Sequence, residues 1–213
     1  MTVAEKTSRK AKDSERTRRD ILQAALEVFA ERGFSSATVR DIASRIGMSH
    51  GMIRYHYETK EQLWFASVDY LFERLDRELA ISAADAARLD AGELDIFRDW
   101  LRRYVRYCAD HPEHARIMMQ ESVSPSARLD EVIEKHVRAG QLAALKTISV
   151  LQEHGVFPRD VPPASLIYMI TGACQNVFAL APEVRRSLDY DALSDIAVEA
   201  HAGAVVSVFC PVK

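Results

Sequence analysis

The chain has 213 residues, 48% hydrophobic and 28% charged, which supplies a real core and length for one or two domains. Its formal charge of −3 hides an asymmetry: residues 1–62 hold 12 Lys/Arg against 9 Asp/Glu, a net of +3, and the remainder carries −6. No apolar stretch approaches the roughly 18–20 uncharged residues of a membrane span, the N-terminus lacks an apolar signal core, and three scattered cysteines argue against a disulfide framework, so neither a membrane protein nor a secreted scaffold is expected and a reducing cytoplasm is.

Residues 1–19 carry 7 basic and 3 acidic side chains. Residues 1–13 read as a basic flexible arm, either drawn to phosphate or solvated as a tail, and both can hold. The spacing of Ile21, Leu22, Ala25, Val28 and Phe29 predicts a first helix over 14–32, ended by Gly33. Val39, Ile42, Ala43 and Ile46 recur at i, i+3, i+4 and i+7, a second, short amphipathic helix. Thr38 and Asp41 have capping-box spacing, and Gly47 stands where a helix usually ends in a positive-φ residue. Ser49 is expected to cap a third helix carrying His50, Gly51, Met52, Arg54, Tyr55 and His56. Two short helices joined by a glycine-containing turn, over about 38–57, make a helix-turn-helix, and its second helix carries residue types that suit a DNA groove.

Thr59 and Gln62 repeat the capping box before a longer helix through Leu63, Val68, Leu71, Phe72, Leu75 and Leu79. The stretch 82–95 has a weaker pattern and reads as a loose connection. Helices follow over 96–108, from Pro112 onward, over 129–154 up to Gly155, and over 163–180 and 192–209, with a break at Pro125. The closing AVVSVFCPV resembles a strand but extends a helical stripe through Ile196, Ala200, Ala204 and Val208. The total is about nine helices and no internal repeat, an all-α chain. Cys108, Cys174 and Cys210 read as buried apolar thiols, with a redox-sensing pair as the alternative.

Residues 47–51, GMSHG, spell the G-x-S-x-G of a serine hydrolase. That pentapeptide needs a strand before it and a sheet beneath it, and neither is predicted here. Ser49 as a helix cap accounts for the same residue, and an enzyme is not expected. Metal and nucleotide signatures are missing: no His follows a Glu by three, and HPEH at 111–114 reads as a solvated helix start.

The segments ILQAALEVFAERGF (21–34), TVRDIASRIGMSHGMIRYHY (38–57) and KEQL (60–63) resemble the N-terminal domain of the TetR family of bacterial transcriptional regulators. The resemblance implies a helix-turn-helix DNA-binding domain over 14–60 and an effector-binding and dimerisation domain over 61–213. It implies a cytoplasmic homodimer on a palindromic DNA operator, formed through the last two helices and most simply a ligand-released repressor, with an activator as the alternative. Base-reading positions are then Arg40, His50, Gly51, Met52 and Tyr55; phosphate positions are Thr38, Arg54, His56 and Lys60. Arg54 departs from the family, which usually has an aromatic there.

No cofactor is expected beyond an apolar or amphipathic small-molecule effector. Candidate pocket residues are Trp100, Tyr104, Tyr107, Met118, Met119, Tyr168 and Met169, for which ordinary core is the competing explanation. Gln175 and Asn176, adjacent amides in an apolar helix, need partners if buried, across a dimer seam or on a ligand. Tyr57 is expected in the core, and Tyr55 is open between core and groove.

Overall fold

The computed structural model describes the backbone of residues 3–211 and the side chains of 14–211. The charges of the expected arm at 1–13 therefore lie outside the described side chains, although the first helix, α1, is drawn from Val3 to Ser36. Among the described residues there are twelve α-helical segments, one π-helical segment and no strand. The helix-turn-helix comprises α2 (Val39–Arg45) and α3 (His50–His56), and α4 runs Lys60–Leu79. Then come α5 (Ala83–Asp90), α6 (Asp95–Asp110), α7 (Pro112–Ser122), α8 (Ala127–Val132), the π segment Ile133–Val137, α9 (Arg138–Glu153), α10 (Pro163–Ala179), α11 (Ala181–Leu188) and α12 (Asp195–Phe209).

Three segments exceed the nine read from periodicity. The stretch expected to be a loose connection holds α5, because Ser82 accepts from the Asp85 amide, Leu89 enters the core, and Arg88 pairs with Asp85, Glu93 and Asp95. The long helix over 129–154 is interrupted by the π segment. A short α11 follows Leu180, too brief to leave a clear stripe in the sequence.

Two apolar cores organise the molecule. The first packs α1 residues Ile21, Ala25, Leu26 and Phe29 against Ile42, Ile53, Leu63 and Leu71, and it borrows Ile117 of α7 and Val132 of α8. It runs through Phe72, so its apolar packing continues past residue 60 along α4. The second joins α6, α9, α10 and α12 around Leu101, Val105, Leu151, Cys174 and Phe178. All three cysteines are buried and free, and burial raises the thiol pKa of Cys108, and that of Cys174 to about 12, which favours the protonated thiol.

No single described helix is long and apolar enough to cross a membrane; α10 and α11 reach the length together but are bent by 71°. No group of three or more described His, Cys, Asp or Glu is placed to hold a metal ion.

Candidate nucleic-acid interface and effector cavity

Local chemistry sets the helix-turn-helix. The Thr38 side chain accepts from the Asp41 amide at 3.2 Å while the Asp41 carboxylate takes the Thr38 amide at 3.1 Å, the reciprocal cap expected from the sequence. At the other end of α2 the chain turns through Gly47 with φ 64°, and the Met48 amide donates back to Ala43 at 2.9 Å. That left-handed residue with its six-to-one hydrogen bond satisfies the last carbonyls of α2 and aims α3 across it. Ser49 stands at the N-cap of α3, but its hydroxyl makes no capping bond; its carbonyl alone accepts, from the Met52 amide at 3.0 Å. The expected side-chain cap is thus replaced by a backbone one.

Ile53 is the one fully buried residue of α3, an anchor whose burial contributes about 1.5–3 kcal/mol. Half-buried Tyr57 packs beside the first core. Every other residue of α3 faces solvent: His50, Gly51, Met52 at 48% exposure, Arg54, Tyr55 at 87% and His56. The helix has no acidic side chain. Thr38 and Arg40 are exposed on the same helix-turn-helix. Tyr55 is therefore not core, and Tyr57 largely is. A full-length tyrosine is held out in water beside Arg54, its ring edge-on to His56 at 5.4 Å.

The helix-turn-helix is clamped to α1. Arg45 donates to both carboxylate oxygens of Glu31 at 2.7 and 2.6 Å, and Arg32 pairs with Asp41 at 2.8 Å. The Arg45 hydrogen bond holds the Glu31 carboxyl below the usual carboxylate range. These pairs are largely solvent-exposed and orient more than they stabilise.

Lys60 is placed differently from the phosphate contact expected. Its ammonium donates to the carbonyls of Phe34, Ser35 and Ala37 at 2.7, 3.2 and 3.1 Å, and it lies 4.5 Å from the Phe34 ring centroid. An ammonium has three N–H donors, and three carbonyls use them. Lys60 therefore ties the start of α4 to the end of α1, where Gly33 breaks the helix at φ 73° and leaves those carbonyls without helical partners.

A cavity of about 390 Å³ opens between the C-terminal end of α4 and helices α5, α6, α9 and α10. Phe97 and Trp100 of α6 form one wall. Gly140, Ala143, Ala144 and Thr147 of α9 face it, with Ile148 deeper, and Ile167, Ile170 and Thr171 come from α10. Leu79, Ile81 and Leu89 complete the lining, which is within the size range of small-molecule sites. Of the pocket residues expected from the sequence, Trp100 lines it, and the buried phenol of Tyr104 stands behind it with Thr171 beside it.

The other candidates lie elsewhere. Tyr107 bonds Nδ1 of His114 at 2.8 Å in a polar cluster, Met118 packs on the first core, and Met119 is half-buried on α7 away from the cavity. Tyr168 (71% exposed), Met169 and Asn176 face outward on α10, with Gln175 partly covered. The reason is rotational: Leu166, Ile167, Ile170, Cys174 and Phe178 take the inner face of α10, so residues about 100° away turn to solvent. The stripe Gly140, Ala143, Ala144, Thr147 escaped the sequence reading. Its i, i+3, i+4, i+7 spacing of small side chains was the available signal.

Comparison with known proteins settles the class. The bacterial regulatory protein model of the tetR family matches residues 21–66, and a tetracyclin repressor-like C-terminal domain model matches residues 95–208. The chain belongs to the TetR family. It is a DNA-binding transcriptional regulator of helix-turn-helix type, in line with the names of its relatives. The transcriptional repressor Rv3405c of Mycobacterium tuberculosis is 48% identical over 59 residues, a match covering 28% of this chain and 31% of that protein. The repressor SCO4008 of Streptomyces coelicolor is 29% identical over 180 residues, 84% of this chain and 86% of that one. Among solved structures, AibR in complex with isovaleryl coenzyme A and operator DNA superposes with a TM-score of 0.66 at 17% identity, covering 92% of this chain and 99% of that one, a likeness of fold.

Proposed function

We propose that this TetR-family chain is a ligand-released repressor that binds a palindromic operator as a homodimer. The observation that carries the reading is the span of α4: Lys60 at one end holds the helix-turn-helix domain, and Leu79 at the other lines the cavity. A ligand that displaces the C-terminal end of α4 acts on a rigid lever whose far end positions α3. Ligand and operator then compete for two arrangements of one element, a coupling typically of about 1–3 kcal/mol. AibR, a protein of this fold, was solved in complex with isovaleryl coenzyme A and operator DNA, which supports only the part of the reading that gives the fold both kinds of partner.

In this reading Arg40, His50, Gly51, Met52 and Tyr55 meet base edges, and Thr38, Arg54 and His56 meet phosphate. Lys60 keeps its structural bonds and acts on DNA only through the position of α3. Homodimerisation uses the outer faces of α10 and α12, where Tyr168, Met169, Ile196 and Val208 are exposed beside small Ala200 and Ala204. Exposed apolar groups of that size on two neighbouring helices fit a cross-subunit helical bundle.

Selection of bound DNA from a random pool tests the reading. Recovery of an inverted repeat, with half-sites about 34–36 Å apart, is expected. Recovery of no shared sequence, or binding without salt dependence, rejects it.

A further inference from the structure

The cavity limits what can release this protein. Its thirteen lining residues include no Asp, Glu, Lys, Arg or His, and their polar side-chain groups are the hydroxyls of Thr147 and Thr171 and the indole N–H of Trp100. A charged group seated against that lining meets no counter-ion and trades part of its water for apolar surface, which is costly, whereas one hydroxyl or carbonyl finds a hydroxyl partner. The shape is equally restrictive. Phe97 and Trp100 have ring planes only 8° apart with centroids at 6.3 Å, so a flat ring stacked on either is parallel to both. Of the five α9 residues in the lining, three are Gly or Ala, beside Thr147 and the bulkier Ile148, and a Cβ added at Gly140 would meet nothing within 4 Å. Part of the lining is aromatic, and its exposed side at Gly140 and Ala143 carries little side-chain bulk. A dry apolar cavity of about 150 Å³ holds one benzene, so this one holds on the order of 15 non-hydrogen atoms.

We propose that the effector is a planar, uncharged aromatic molecule with a single hydrogen-bonding group, held on the Trp100 and Phe97 faces and oriented by Thr171 or Thr147. The proposal rests on the cavity being the effector site. Trp100 sets the preference for planarity, and Gly140 with Ala143 keeps the slot open.

Calorimetry on the full chain with three matched probes tests this: β-naphthol (neutral, planar), β-naphthoate (anionic, planar) and decahydro-β-naphthol (neutral, not planar). β-Naphthol is expected to bind at least about tenfold more tightly than either of the others. Trp100→Leu should remove its advantage over the saturated probe. Gly140→Leu should abolish binding while the thermal midpoint stays equal or rises, since a leucine fills open space in a helix that a glycine weakens. Ala143→Leu plugs the same slot from the next turn should Gly140→Leu fold poorly. Naphthoate binding as tightly as naphthol, no probe binding to the folded chain, or binding unchanged by both plugs would each overturn the proposal. Occupancy of the selected DNA is followed in parallel. Naphthol bound as described with DNA occupancy unchanged supports the ligand class and sinks ligand release; release by naphthoate alone does the reverse.

Discussion

Nη2 of Arg74 on α4 lies 2.8 Å from Oε1 of Glu113 on α7, with both side chains almost wholly removed from solvent. The other arm of the same guanidinium donates to Gln23 of α1 at 3.0 Å, so three helices meet on one buried cation between the two cores. Removing one partner of such a pair leaves a charge without water or counter-ion. Glu113→Ala is therefore expected to destabilise the chain by about 3–5 kcal/mol, and Arg74→Met with Glu113→Leu by much less. Denaturant titration of the two variants decides it; equal losses would mean that the pair itself, and not the orphaned charge, carries the energy.

Lys60 gives a second prediction because its ammonium already donates to three backbone carbonyls. Lys60→Met should lower stability by about 1–2 kcal/mol through the uncapped α1 carbonyls. It should weaken DNA binding without changing the slope of log K against log salt. A slope reduced by about one ion per subunit would return Lys60 to the phosphate set.

Arg40 and Arg54 separate by the same measurement. Arg40→Ala should cost about 1–3 kcal/mol on the selected operator and relax preference at one base position. Arg54→Ala should weaken all sequences alike and reduce the salt slope. Tyr55→Ala should lower affinity without lowering the thermal midpoint, since this side chain is 87% exposed and its ring contact is with the neighbouring His56.

Asp69 of α4 accepts from Lys135 and His136 of the π segment, each at 2.7 Å, just before the helix that lines the cavity. This connects α9 to the middle of α4 independently of the cavity end. Asp69→Asn is expected to leave ligand and DNA affinities measured separately within about threefold and to reduce their mutual effect. A ligand-dependent loss of DNA affinity equal to the parent's would exclude this contact from the coupling.

His114 predicts the acid response. Burial beside Arg74 lowers its pKa to about 3, so it stays neutral in the folded chain, with Nδ1 2.8 Å from the Tyr107 hydroxyl, while the unfolded chain binds a proton near pH 6.5. Between those values the unfolded state holds more protons, so this contribution is complete above about pH 6.5 and declines as pH falls toward 3. Denaturant titrations at pH 7.5 and 5 should show a loss about 1–2 kcal/mol larger in the parent than in His114→Gln. An equal loss would place the acid sensitivity elsewhere.

The sequence by itself determined the features whose causes are local. Thr38 with Asp41, Thr59 with Gln62 and the left-handed Gly47 act over three to six residues, and helical stripes report which side of each helix is apolar. The helix-turn-helix and the outward side of α3 followed from those. Tertiary structure decided everything that depends on what faces what. Lys60 became a tie to α1 because Gly33 frees three carbonyls at its tip, twenty-odd residues away. Tyr168 and Met169 left the pocket because α10 is apolar on more than one side, and periodicity then cannot say which side is the interior. Gly140 and Ala143 entered it because small side chains make a cavity only when a neighbouring helix brings a bulky wall opposite them. That pairing with Phe97 and Trp100 is a relation between residues about forty positions apart, and only the packed chain contains it.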